Sequence, residues 1–219
     1  FDILRTSFRD VDHPVAEFAR RYPFEYEDHT KPDLASCRTP RHDDPDGRIA
    51  ALAERFEREG AGDTWRLLTN MTQRIPAELS YLRREEPGVQ APAETLALGS
   101  GSCRDYAELM CELTRRLGFA ARFVTGYLYD PALDPRTAET TSQVQGAGAT
   151  HAWVQVFIPG AGWIEFDPTN GEVASGKLIR TGVGRIPDQV APLAGFFTGR
   201  PQAAQGLEVS VDITTLADR

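Results

Sequence analysis

The sequence predicts an α+β protein in which helices pack on an antiparallel β-sheet. Three observations carry this. Helical periodicity is concentrated between residues 47 and 118, strand-like runs follow from residue 119, and one pair of those runs reads as a hairpin, THAWVQVFIPGAGWIEFDPTNG (150–171). Helices and strands do not alternate as they would around a parallel sheet.

The first 47 residues are loop-rich, and RTPRHDDPDGR (38–48) clusters Pro, Asp and Gly as a linker or extended turn does. DDPDG (43–47) lacks the alternating ligands and terminal Glu of a calcium loop and reads as a turn leading into a helix. In GRIAALAERFEREG (47–60), Ile49, Leu52, Ala53 and Phe56 are spaced three and four apart, so an amphipathic helix is expected, stopped by Gly60. A second helix is expected from an Asp63 N-cap, with Trp65, Leu68 and Thr72 on one face and Pro76 as its end. Residues 87–102 read as a loop with short turns.

A third helix should open at Cys103, with Ser102 as N-cap and Asp105 completing a variant capping box. Ala107, Met110, Leu113, Thr114 and Leu117 mark its buried face, and Gly118 its stop. FAARFVTGYLY (119–129), KLIRTGVGR (177–185) and LEVSVDIT (207–214) read as strands. Residues 130–149 form a long polar loop, and loops of that length are often functional. The length and composition suggest that it borders a cleft and acts as a lid.

Composition narrows the function. With 41% hydrophobic and 26% charged residues the chain is globular, and a net charge of −8 disfavours nonspecific binding to nucleic acid or anionic lipid. No apolar run approaches the length of a membrane span. The chain starts without Met or a signal-like segment, as a trimmed or processed piece would. Three widely spaced cysteines do not form a disulfide framework, so a reducing, cytoplasmic compartment is expected.

One of those cysteines sits in an unusual place: GSGSCRDY (99–106) puts Cys103 behind two glycines at a helix start. A disulfide or shared zinc with Cys111 is excluded by geometry. Eight helical residues separate the two Cα atoms by about 12 Å. A disulfide needs roughly 4.4–6.8 Å, and each Zn–S bond is only about 2.3 Å. The same distance denies Cys103 a resolving partner for a redox-sensor role. Cys111 reads as a small buried hydrophobe, and Cys37 receives no role. At the first position of a helix, free N–H groups and the dipole favour a thiolate. Glycines allow close backbone approach, and backbone N–H groups there can serve an oxyanion. A nucleophile and a merely packed thiol both remain open on this stretch alone.

A nucleophile needs a base and an orienting group. His13, His29 and His42 lie in the loop-rich segment among charged neighbours and read as solvated. His151 heads a strand on which Trp153, Gln155 and Phe157 share its face, while Ala152, Val154, Val156 and Ile158 form an apolar core face. Parity then makes a sharp expectation. If the hairpin loop has an odd number of residues, as with Ile158 opposite Gly162, Ile164 and Phe166 join the core face. Asp167 then falls opposite Trp153 and diagonal to His151, within side-chain reach. Such a carboxylate would set the imidazole tautomer. An even loop would put His151 and Asp167 on opposite sides.

Taken together, GSCRDYAELMCELTRRLGFAARFVTGYL and THAWVQVFIPGAGWIEFDPTNG resemble the core of the transglutaminase-like superfamily, specifically its bacterial members classed as cysteine peptidases. The resemblance runs from about residue 63 to residue 216 and includes VGRIPDQVAPLAGFFTG. It implies a papain-like α+β fold and acyl transfer through a thioester. It assigns Cys103 as nucleophile, His151 as general base and Asp167 as orienting carboxylate. No cofactor and no metal are implied. The animal crosslinking members depend on calcium, and no calcium loop is evident here, so hydrolysis is as plausible as crosslinking. The expected substrate is a protein, a peptide or a small amide.

Bacterial relatives carry a β-rich domain upstream. FDILRTSFRD reads as its tail and PFEYEDHTKPDLASC (23–37) as the connector that follows. The expected division is therefore residues 1–47 as an N-terminal segment and 48–219 as the catalytic domain. Tyr81 and Trp153 are candidate side-chain donors to an oxyanion. Gln155 and Glu165, on the triad face, are supporting groups or ordinary cross-strand pairs. Two rivals complete the reading. GEVASGKL (171–178) approaches a P-loop, but Leu178 replaces the magnesium-binding Ser/Thr and a strand replaces the helix. The other rival is a catalytically silent domain of the same fold that binds a peptide or partner.

Overall fold

The computed structural model describes residues 14–84, 86–134, 145, 149–192, 195, 198–200, 211 and 213. FDILRTSFRD, most of the predicted strand 207–214 and most of the predicted lid loop lie outside the described residues. The helices are α1 (Lys31–Arg38), α2 (Arg48–Gly60), α3 (Thr64–Glu78), α4 (Pro92–Leu98) and α5 (Cys103–Arg116). The strands are β1 (Ser80–Tyr81), β2 (Ser100–Gly101), β3 (Ala121–Leu128), β4 (Thr150–Ile158), β5 (Gly162–Asp167), β6 (Glu172–Val173) and β7 (Leu178–Gly184).

Strands β6-β5-β4-β3-β7 form an antiparallel sheet in that order. Helix α5 packs on β3 and β4, with α2 and α3 behind it. Ile49 and Phe56 of α2, Leu68 and Met71 of α3, and Met110 and Leu113 of α5 meet Ala152, Val154, Val156, Ile164 and Phe166 of the sheet in one core. The apolar strand face is thus the face that α5 covers, as the alternation requires.

Three helices depart from expectation. Helix α3 passes through Pro76 to Glu78. A proline in the final turn loses one N–H bond but keeps a helical φ, so the helix survives it. The stretch 87–102, read as loop, contains α4. Its signals are Pro92 in the first turn, Glu94 near the N-terminus and Gly99 as a left-handed stop at φ 62. The sequence reading also missed α1, which lies in the segment read as loop. Its Arg38 guanidinium stacks on the Tyr26 ring and donates to the Gly118 carbonyl at 3.0 Å.

Helix α5 is more enclosed than an amphipathic pattern suggests: Glu108, Glu112 and Arg115 are buried along with its apolar face. Segment 41–44 covers the acidic side. Glu108 Oε1 accepts from Arg41 Nη1 and pairs with His42 Nε2, both at 2.7 Å. Glu112 accepts from the Arg41 N–H at 2.9 Å. His42 is therefore not the solvated residue expected, because it is bonded to a buried carboxylate. Arg115 spends its charge on carbonyls of Cys37, Ala121 and Arg185.

Candidate active site

Cys103 is the first residue of α5, and the chain before it is held on both sides. Strand β2 runs parallel to β1, with Ser80 N–H donating to Gly99 O and Leu82 N–H to Gly101 O, each at 2.9 Å. That pairing brings Tyr81 alongside the approach to the thiol. A Cβ on Gly101 would sit 2.9 Å from the Asp105 Cβ, so only glycine fits. The capping box then forms as expected: Asp105 Oδ2 accepts the Ser102 N–H and hydroxyl, both at 2.8 Å. Its Oδ1 accepts Gln90 N–H at 2.7 Å and Arg84 Nη1 at 2.8 Å. Burial alone would raise the Asp105 pKa, but these donors hold it below the ordinary carboxylate value.

The hairpin adopts the odd-loop register. Ile158 pairs with Gly162, Val156 with Ile164 and Val154 with Phe166, leaving residues 159–161 as a three-residue turn. Continued by one step, Trp153 faces Asp167, and His151 reaches diagonally to it. His151 Nε2 lies 2.9 Å from Asp167 Oδ2, with both side chains fully buried.

Asp167 also opens its own turn: Oδ1 accepts Thr169 N–H at 2.9 Å and Asn170 N–H at 3.4 Å. Asn170 Nδ2 donates to Oδ2 at 2.9 Å. The turn role and the His151 pairing therefore coexist, one on each oxygen. Burial would push the Asp167 pKa up, but the His151 charge and these donors pull it down. Burial would lower the His151 pKa, yet the Asp167 charge and hydrogen bond, with Cys103 adding to both effects, push it up to about 10.

With Nε2 committed to Asp167, Nδ1 is the ring nitrogen left for the thiol. Nδ1 makes no hydrogen bond of standard geometry among the described residues. Cys103 is nonetheless close enough to His151 to help raise the pKa of its ring. Cys103 retains 7% of its surface.

The Tyr81 hydroxyl lies near Cys103, and burial followed by the Cys103 charge raises its pKa to about 12. It is thus a neutral donor beside the sulfur. Trp153 stacks on His151 with ring centroids 5.9 Å apart and packs with Val124, Leu128 and Leu178. Its indole N–H has no partner among the described residues. Gln155 is not brought to the thiol. It lies about 13 Å further along β4, where Arg122 donates to its Oε1 at 2.8 Å and its Nε2 donates to Glu165 at 3.3 Å. This is ordinary cross-strand pairing.

Sequence reasoning missed Asn170 and Gly126. Gly126 faces His151 across β3 and β4. A Cβ there would collide with the Ile179 carbonyl and lie 2.7 Å from the Trp153 ring. A glycine inside a strand was the available signal. The remaining motifs stay inert. Cys111 is wholly buried, which pushes its thiol pKa up. His29 is exposed, and His13 lies outside the described residues. The P-loop-like stretch runs into strand β7 rather than a helix. No helix among the described residues is long and apolar enough to cross a membrane.

Comparison with known proteins bears on the family and the fold. The family model of the transglutaminase-like superfamily matches residues 50–168. An uncharacterized protein of Mycobacterium leprae is 39% identical over 117 residues, covering 53% of this chain and 38% of that protein. An uncharacterized protein of Mycobacterium tuberculosis is 31% identical over 151 residues, covering 67% of this chain and 46% of its own length. The chain thus spans less than half the length of these relatives. A crystal structure described as a candidate cysteine protease from Cytophaga hutchinsonii aligns with a TM-score of 0.54 at 24% identity. The alignment covers 73% of this chain and 49% of that one, and it establishes a shared fold.

Proposed function

The chain belongs to the transglutaminase-like superfamily, and on that premise we propose that it catalyses cysteine-dependent acyl transfer on amide bonds. Cys103 is the nucleophile, His151 the general base and acid, and Asp167 the carboxylate that orients the ring. The observation that carries this reading is the 2.9 Å bond from His151 Nε2 to buried Asp167, which leaves Nδ1 for the thiol.

The steps follow from those positions. His151, whose ring pairing with Asp167 keeps it protonated at neutral pH, stands beside Cys103 as its counter-ion, and Cys103 attacks the amide carbonyl carbon as the thiolate. The oxyanion meets the Cys103 backbone N–H, which has no intrahelical acceptor, and the Tyr81 hydroxyl. The C–N bond breaks as His151 gives its proton to the leaving amine, giving a thioester. Water or a second amine, deprotonated by His151, attacks the thioester and releases the thiolate. Water gives hydrolysis of protease or amidase type, and an amine gives crosslinking of transglutaminase type. The acyl donor is a protein, a peptide or a small amide. A reactive thiol persists in a reducing compartment, and cytoplasmic placement belongs to this proposal.

A second reading, a silent binding domain of the same fold, is favoured by how little of Cys103 is exposed. Iodoacetamide labelling of the native protein separates the two. The enzyme reading expects Cys103 to alkylate much faster than buried Cys111. Equal rates would remove its main support. Activity-based profiling of wild type against Cys103→Ala then identifies the acyl donors.

A further inference from the structure

We propose that Asn170 is a positioning residue for the His151–Asp167 pair and that it is itself held by the backbone of Gln145. The inference rests on the assignment of Cys103, His151 and Asp167 above.

Asp167 Oδ1 is fixed by its own turn. Oδ2, the oxygen that faces His151, would have no other restraint without the Asn170 amide. Asn170 Nδ2 donates to Oδ2 at 2.9 Å, the same distance at which His151 Nε2 meets that oxygen. The far side of the amide forms a two-way pair with Gln145: Gln145 N–H donates to Asn170 Oδ1 at 3.1 Å, and Asn170 Nδ2 donates to Gln145 O at 3.2 Å. The amide orientation is settled by chemistry, since the flipped form would set a carbonyl oxygen against a carboxylate. Asn170 therefore does two things for Asp167. It stops the carboxylate rotating away from His151, and its N–H keeps Asp167 ionised. Because Gln145 contributes only backbone groups to this contact, its side chain is dispensable to it.

The test is the rate of Cys103 alkylation by iodoacetamide against pH, read site by site by mass spectrometry. Asn170→Ala should slow the neutral-pH rate roughly tenfold. It should also move the acid limb upward by about one pH unit, because Asp167 then protonates earlier. Asn170→Asp, nearly isosteric, should move that limb further by placing a second carboxylate beside the first. Gln145→Ala should behave as wild type. Gln145→Pro, which lacks the N–H, should shift in the Asn170→Ala direction by less. A residue that only shapes the turn would change the melting temperature and leave the limb in place, and an unmoved acid limb in both Asn170 variants overturns the proposal. If wild-type Cys103 fails to outpace Cys111, the enzyme assignment itself fails and this inference goes with it. That outcome is distinct from a reactive Cys103 whose pH profile ignores Asn170.

Discussion

Asp105 grips both hydrogen-bond donors of Ser102: the backbone N–H and the hydroxyl each lie 2.8 Å from its Oδ2. The residue before Cys103 is thereby tied to the residue two places after it, and the first turn of α5 closes around the sulfur.

Breaking that tie should be costly. Asp105→Ala would leave Arg84, Gln90 N–H and the Ser102 groups without their acceptor in a buried setting. We expect a loss of about 3–5 kcal/mol by denaturant unfolding. A loss below about 1 kcal/mol would show that Asp105 is not the anchor described.

The His151–Asp167 pair should leave a pH signature on stability. The folded-state pKa of His151 is raised from 6.5 to about 10, so the protonated ring favours folding. That contribution is fully present below pH 6.5 and disappears as pH rises through about 10. Asp167 is shifted the other way, so its share is lost as pH falls below 3.8. The stability advantage of wild type over Asp167→Asn should be largest between these limits and shrink from pH 6.5 towards 10. A difference that stays constant across that range, measured by thermal melts, would rule out the coupling.

Gly126 should tolerate no side chain. Gly126→Ala forces a methyl group against the Ile179 carbonyl and the Trp153 ring that stacks on His151. Overpacking of this kind costs about 1–3 kcal/mol, and Cys103 alkylation should slow as the imidazole is displaced. Wild-type stability and reactivity in this variant would mean that the β3–β7 contact yields easily.

Segment 41–44 should be a structural strap on α5. Arg41→Ala removes a bond to the buried Glu108 carboxylate, whose other oxygen has no partner among the described residues. We expect a loss of about 2 kcal/mol with no change in the pH profile of Cys103 alkylation. A shifted profile would instead connect this face of α5 to the thiol.

Much of this was legible in one dimension because the signals are local or periodic. Ser102 and Asp105 are three residues apart, so the capping box is a property of a single helical turn. The alternation of β4 identified its core face. The parity of PGAG and its neighbours decided that Asp167 would share a face with His151, since side chains in a strand can point only two ways. The order Cys103, His151, Asp167 and the family resemblance were likewise written in the chain.

Tertiary structure decided what local pattern cannot encode. Tyr81 reaches Cys103 because β1 pairs with β2 across about twenty residues of chain, and two-residue strands carry no periodic signal. Gln155 shares the His151 face yet falls to Arg122 and Glu165, because sharing a face does not fix position along it. Glu108, Glu112 and Arg115 look like a solvated helix face until segment 41–44 and α1 close over them. Asn170 reads as a turn residue, and only folding brings the Gln145 backbone to the far side of its amide. In each case the deciding contact joins residues whose separation in sequence says nothing about their separation in space. Local chemistry specified the elements and their faces, and long-range packing chose which side chains meet.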